Sequence, residues 1–126
     1  MISFLLVGAG GAIGAMARYG IGILIGKFGY INLPIATMLI NIFGSLLMGL
    51  LIGLLAHYTP VWQGQARLFL AVGVLGGFTT FSAFSLDVIV LIERGQMGLA
   101  LGYALASLIV SVAALFGGLL LVRGIL

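Results

Sequence analysis

Cysteine is absent from this chain, and its absence excludes a disulfide framework, a thiolate metal site and a cysteine nucleophile. Charge is nearly absent as well: 6% of the residues are Asp, Glu, Lys or Arg, against about 25% in an ordinary soluble domain. One histidine and two acidic side chains make neither a metal-ligand cluster nor a carboxylate pair, so hydrolytic and redox enzymes have no residues to work with. The five basic residues outnumber the two acids, but they stand singly rather than in a stripe. No nucleic-acid partner is expected from that distribution.

What fills the chain is apolar: 63% of its residues are hydrophobic and the mean hydropathy is +1.41. Such a surface would aggregate in water, which makes the lipid bilayer the solvent that suits it. Crossing the hydrocarbon core takes ~20 apolar residues per helix. The 126 residues divide into four runs of that kind, predicted at 2–26, 33–56, 68–92 and 97–122. Residues 27–32, 57–67 and 93–95 carry the charge and turn signals that separate them. The expected fold is therefore an all-α membrane protein with four transmembrane helices, the whole chain 1–126 forming one domain. Residues 1–7 resemble the apolar core of a signal peptide, yet they lack a basic flank and run on as apolar sequence past Gly14. A retained first helix is the expectation. Connections this short make successive helices antiparallel neighbours.

The 21 glycines would weaken helices in water, but in lipid small residues let helix backbones approach closely. The spacing small-xxx-small recurs at Gly10/Gly14, Gly22/Gly26, Gly49/Gly53, Gly73/Gly77 and Gly98/Gly102. Residues 8–14 also imitate a dinucleotide-binding glycine loop. That motif needs a strand before it and a helix opening on its glycines, and neither fits inside a long apolar run, so helix packing is the better reading.

Lys and Arg in the loops normally set orientation in the membrane. Here Arg67 and Arg123 fall on one side and Lys27 and Arg94 on the other, with Arg18 inside the first span. Without asymmetry a four-helix chain can insert both ways up, and two opposed copies can pair about an axis in the membrane plane. An antiparallel, dual-topology homodimer is the expectation; a single orientation fixed by weaker cues is the alternative.

Polar groups inside a bilayer cost free energy unless satisfied, so each is a candidate for function or for a packed hydrogen bond. The densest cluster is Gly76-Gly77-Phe78-Thr79-Thr80-Phe81-Ser82-Ala83-Phe84-Ser85, across the middle of the third run. Paired glycines followed by paired threonines favour unwinding, so helix three is expected to break near the bilayer midplane, where freed carbonyls can bind a cation; a continuous, tightly packed helix is the other reading. Phe81 and Phe84 share a helix face, and their electropositive ring edges can stabilise a small anion or simply fill the core. Tyr103, Ser107 and Ser111 recur at intervals of four, a hydroxyl ladder rising ~6 Å per step that can pass an ion or bind a neighbouring helix. Asn41, in the second run, offers both a donor and an acceptor. Arg18 and Asp87 fall at the same membrane side, where they either pair or flank a vestibule. Glu93 and Arg94 read as a solvated turn, and His57 as interfacial.

The helix-three run, supported by Gly14-Ala15-Met16-Ala17-Arg18-Tyr19, by Thr37 to Asn41 with Gly44, and by Tyr103, Ser107 and Ser111, resembles the signature of the Fluc/CrcB fluoride channels across all four helices. The resemblance implies a dual-topology dimer with two antiparallel pores that exports fluoride passively across a prokaryotic plasma membrane. It implies a structural sodium at the dimer centre, held by the carbonyls of Gly76 and Thr79. Asn41, Thr80, Phe81, Ser82, Phe84, Tyr103, Ser107 and Ser111 would line the anion pathway, with Arg18 and Asp87 in its vestibules. Two departures stand out: Ala83 where threonine is common, and Asp87 where glutamate is common. A small multidrug-resistance transporter is the rival of similar size, but it needs a membrane-embedded glutamate in helix one, and helix one here has no acid. A non-conducting assembly subunit would use the same glycine packing and would need no hydroxyl ladder.

Overall fold

Long apolar runs become long helices, and their ends fall where the backbone can no longer continue. The computed structural model describes residues 1–27 and 34–126. Helix α1 spans Ile2–Gly26. Helix α2 spans Ile35–Tyr58 and starts directly after Pro34, a residue suited to a helix entrance because it has no N–H to leave unpaired; the predicted start at Leu33 lies outside the described residues. It stops at Thr59, which adopts a left-handed conformation (φ 41°) and donates its N–H to the Leu55 carbonyl at 2.9 Å, with Pro60 preventing continuation.

The third span, Gln63–Glu93, is assembled from pieces. A short helix α3, Gln63–Ala66, leads into a stretch at Arg67–Leu75 wound more widely, with i→i+5 bonds. Helix α4, Gly76–Phe78, follows, then the extended residues Thr79 and Thr80, then helix α5, Phe81–Glu93. The span begins before residue 68 because its first turn, Gln-Gly-Gln-Ala, is polar and hydropathy does not register it. Gly95, at φ 77°, makes the turn into helix α6, Met97–Ile125. That helix runs past Val122 and keeps Arg123 in its last turn, where a cation suits the helix dipole. All four spans are long and apolar enough to cross a membrane.

The closest packing joins alternate spans rather than successive ones. A Cβ on Gly10 would strike the Phe69 carbonyl, and one on Gly14 the Val74 carbonyl, so α1 lies against the third span with both chains running the same way. Likewise Gly49 lies on the Leu115 carbonyl, Gly118 on Leu46 and Leu50, and Gly53 on Val122, which sets α2 parallel to α6. Glycine permits backbone-to-backbone approach at these crossings, except at Gly53, which meets the Val122 side chain. Among the described residues, the pairs Gly22/Gly26 and Gly98/Gly102 have nothing within 4 Å and make no such crossing. Between the two helix pairs a small core forms from Leu91, Ala100 and Tyr103, with Met38, Phe84, Val88 and Leu99 around it. Large apolar side chains such as Phe4, Met16, Leu105 and Leu120 are exposed instead, as lipid-facing positions of a multi-pass membrane protein are.

Gly14→Ala and Gly49→Ala should each cost about 1–3 kcal/mol, because the added methyl meets backbone that cannot step aside. Gly22→Ala should stay within about 0.5 kcal/mol. Thermal unfolding in detergent measures the difference, and equal midpoints for all three variants would mean that these crossings do not hold the fold.

Candidate functional site

A backbone that leaves the helix inside an apolar span must find new partners for its N–H and C=O groups. Thr79 (φ −79°, ψ 156°) and Thr80 (φ −150°, ψ 119°) are extended between α4 and α5, and several of the displaced groups find side-chain partners. The Thr80 N–H, which in a continuous helix would donate to the Gly76 carbonyl, donates to Asn41 Oδ1 at 2.8 Å. Asn41 Nδ2 in turn donates to the Thr80 carbonyl at 3.0 Å. The Ala83 N–H, whose helical acceptor would be the Thr79 carbonyl, donates to Thr80 Oγ1 at 3.2 Å and caps α5. Arg18 Nε donates to the Gly77 carbonyl at 3.2 Å. Side chains thus take over the carbonyls of Gly77 and Thr80, while those of Gly76 and Thr79 lose their helical donors.

Room for the extended residues comes from Gly44, one turn beyond Asn41 on α2. A Cβ there would strike Thr79 Cγ2 and press on the Phe78 ring. Thr79 is held from its other side, since its hydroxyl and its N–H both donate to the Leu75 carbonyl at 3.0 Å.

Beside this segment lies a cavity of about 310 Å³. It brings together Asn41, Thr80, Phe81, Phe84, Ser107 and Ser111, contributed by α2, α5 and α6 and the residues between α4 and α5. Sequence reasoning did not place Ser45, Met48, Leu108 or Leu115 in its wall. Helical spacing alone could have found Ser45, one turn from Asn41. The Oγ atoms of Ser107 and Ser111 are buried without a protein partner, although a serine in a helix commonly bonds back to the preceding turn. They are hydroxyl donors held in a low-dielectric wall.

The rings form a row. Phe81 stacks on Phe84 with centroids 5.6 Å apart and planes at 29°, and Phe84 meets Tyr103 at 5.5 Å and 30°. Tyr103 is not in the cavity wall with the two serines: its hydroxyl donates to Asp87 Oδ2 at 3.0 Å. Ser82 is exposed beside the cavity rather than in its wall, its hydroxyl 3.3 Å from that of Thr80. Arg18 and Asp87 bond to different elements, so of the two readings of that pair mutual neutralisation is not the one adopted. Phe81 is 71% exposed, which leaves the cavity open on one face of the chain. Among the described residues no group of three or more His, Cys, Asp and Glu is placed to hold a metal ion.

Similarity to known proteins extends over nearly the whole chain. The family model described as CrcB-like protein, Camphor Resistance (CrcB), matches residues 5–119. A protein of Rhodospirillum centenum named Fluoride-specific ion channel FluC is 53% identical over 125 residues, 98% of this chain and 97% of its own length. Its namesake in Agrobacterium fabrum is 50% identical over 125 residues, covering 99% of both chains. That of Phenylobacterium zucineum is 53% identical over 123 residues, 98% of this chain and 97% of the relative.

Asn41→Leu keeps the volume near that of the amide and strands both backbone groups of Thr80. It should cost about 1–3 kcal/mol for each stranded group, read as a lowered unfolding midpoint in detergent. A midpoint unchanged from wild type would mean that these groups have other partners.

Proposed function

This chain belongs to the CrcB-like family, and from that premise we propose that it is a fluoride channel, allowing passive fluoride export across a bacterial cell membrane. It is a channel protein and not an enzyme. The observation that carries the reading is the extended pair Thr79-Thr80 inside an apolar span, set against a cavity lined with unpartnered hydroxyls and stacked rings. Fluoride is small and strongly hydrated, so a pore must replace its water with donors and bind it loosely enough to let it go. Ser107 and Ser111 offer hydroxyls, and the second N–H of the Asn41 amide remains free after its bond to Thr80. Thr80 and Ser82 add a coupled pair of hydroxyls. Phe81 and Phe84 turn their faces to one another, which leaves the electropositive edges for an anion. None of these groups carries a fixed charge that would trap it. Arg18 raises the local anion concentration from the vestibule, and Asp87 holds the Tyr103 hydroxyl at the far end of the ring row.

The functional unit in this reading is an antiparallel homodimer in dual topology, with two antiparallel pores and helix three broken at the bilayer midplane. The balanced loop charges support it, as does the open face at Phe81, which a second copy would cover. Opposed copies bring their interruptions together at the symmetry axis. The carbonyls of Gly76 and Thr79, released from their helical donors, suit a cation that needs oxygen ligands and no side-chain charge. A sodium ion shared by the two copies would offset the repulsion between those carbonyl dipoles.

Purified protein in liposomes loaded with fluoride and chloride in parallel should release fluoride, without proton coupling, and retain chloride; release of both ions, or of neither, contradicts the reading. Phe81→Ile and Phe84→Ile should slow fluoride efflux by about tenfold, the scale of one aromatic interaction, with the dimer intact by gel filtration. Wild-type rates in both would remove the rings from the pathway. Exchanging sodium for N-methylglucamine throughout purification should shift the protein from dimer toward monomer, and a dimer indifferent to the exchange argues against a structural ion.

A further inference from the structure

A second cavity, of about 250 Å³, lies between the last turns of α2 and α6. Its walls are apolar, formed by Ile52, Ala56, Leu119 and Val122, and its two polar residues are His57 and Arg123. Both belong to the final turn of their helices, and both side chains are exposed. The parallel crossing of α2 and α6 at Gly53 and Val122 puts these two ends at the same membrane face. Tyr58 and Trp62 follow at once and are also exposed, as aromatic residues at the headgroup level are.

Charge at this end is of one sign. The chain's two acidic side chains, Asp87 and Glu93, are both on α5, the second half of a span that begins at this end and finishes at the opposite face. Within one chain, His57, Arg67 and Arg123 therefore share their end with no acidic side chain, and the acids of an inverted copy would belong to its own α5, outside this notch. Carbonyls at the helix ends favour cations there without any ligand, but they do not account for an apolar notch that opens beside those cations. A ligand matching both features has a hydrocarbon part lying along the bilayer depth and an anionic group at the surface.

We infer that this notch is a binding site for an anionic phospholipid, one acyl chain against Ile52, Leu119 and Val122 and the phosphate on Arg123 and His57. The site lies apart from the cavity at Thr79 and Thr80 and depends only on the protein residing in a membrane. Native mass spectrometry of the detergent-purified protein tests it, with phosphatidylglycerol and phosphatidylcholine of matched chains added in competition. Wild type should retain phosphatidylglycerol preferentially, by about fivefold for each basic group engaged. Arg123→Gln combined with His57→Gln should bring the ratio near unity. Ala56→Trp, which fills the notch and leaves Arg123 and His57 in place, should lower it as well. Arg67→Gln, a basic residue of the same face outside the notch, should leave it unchanged. Equal retention of the two lipids by wild type overturns the assignment. So does a loss in Arg67→Gln as large as in the double variant, or a preference undiminished in Ala56→Trp, since either outcome makes the attraction a property of the whole face. Gel-filtration profiles matching wild type verify that each variant is folded.

Discussion

Two hydrogen bonds from one side chain make the rest of the structure possible. Asn41 accepts from the N–H of Thr80 and donates to its carbonyl, serving a residue inside the third span in the way a neighbouring strand would. In water such a pair adds little, because solvent offers the same bonds. Within a bilayer there is no such substitute, and each unpaired backbone group costs several kcal/mol. An extended residue at Thr80 is tolerable because a side-chain amide, with one donor and one acceptor in a fixed geometry, stands opposite it.

That exchange sets what happens to the neighbouring carbonyls. Once Asn41 and the Thr80 hydroxyl have taken the N–H groups of Thr80 and Ala83, the carbonyls of Gly76 and Thr79 are without their helical partners. Arg18 meanwhile occupies the Gly77 carbonyl from α1. The distribution follows from side chains on α1, on α2 and in the extended stretch itself, and depends on the close crossings that hold the helices in register. Gly44 admits Thr79 on one side, and Gly14 presses α1 against Val74 on the other. Small residues thus serve two ends: they bring backbones together, and they leave a space beside Phe81 and Phe84 that hydroxyls can line.

The four spans were legible because their signal is local and cumulative: a run of apolar residues is helical in lipid whatever its neighbours do. Gly76-Gly77 and Thr79-Thr80 pointed to the stretch where Thr79 and Thr80 lie extended, since those residue types weaken a helix in isolation. Asn41, Ser107 and Ser111 drew notice as polar residues in an apolar setting, and they do line one cavity with Thr80, Phe81 and Phe84. What pattern could not reveal is which partner each polar group takes. Nothing in the spacing of Tyr103 from Ser107 turns its hydroxyl toward Asp87, and nothing near Arg18 in the chain names Gly77 as its acceptor. The preference of α1 for the third span and of α2 for α6 was likewise hidden, because five glycine pairs look alike in sequence and, among the described residues, three of them meet another backbone or a side chain closely. The wide winding of Arg67–Leu75 has no residue signature that we can identify.

Asn41 replaces the helical partner of the Thr80 N–H within the membrane. Solid-state NMR on protein in lipid bilayers, labelled with 15N in the Asn41 side chain and 13C at the Thr80 carbonyl, tests this directly. Strong dipolar coupling between the two labels, at the separation of a hydrogen-bonded amide and carbonyl, is the expected result. Absence of that coupling, together with a Thr80 N–H bonded to the Gly76 carbonyl as in an uninterrupted helix, would contradict the account.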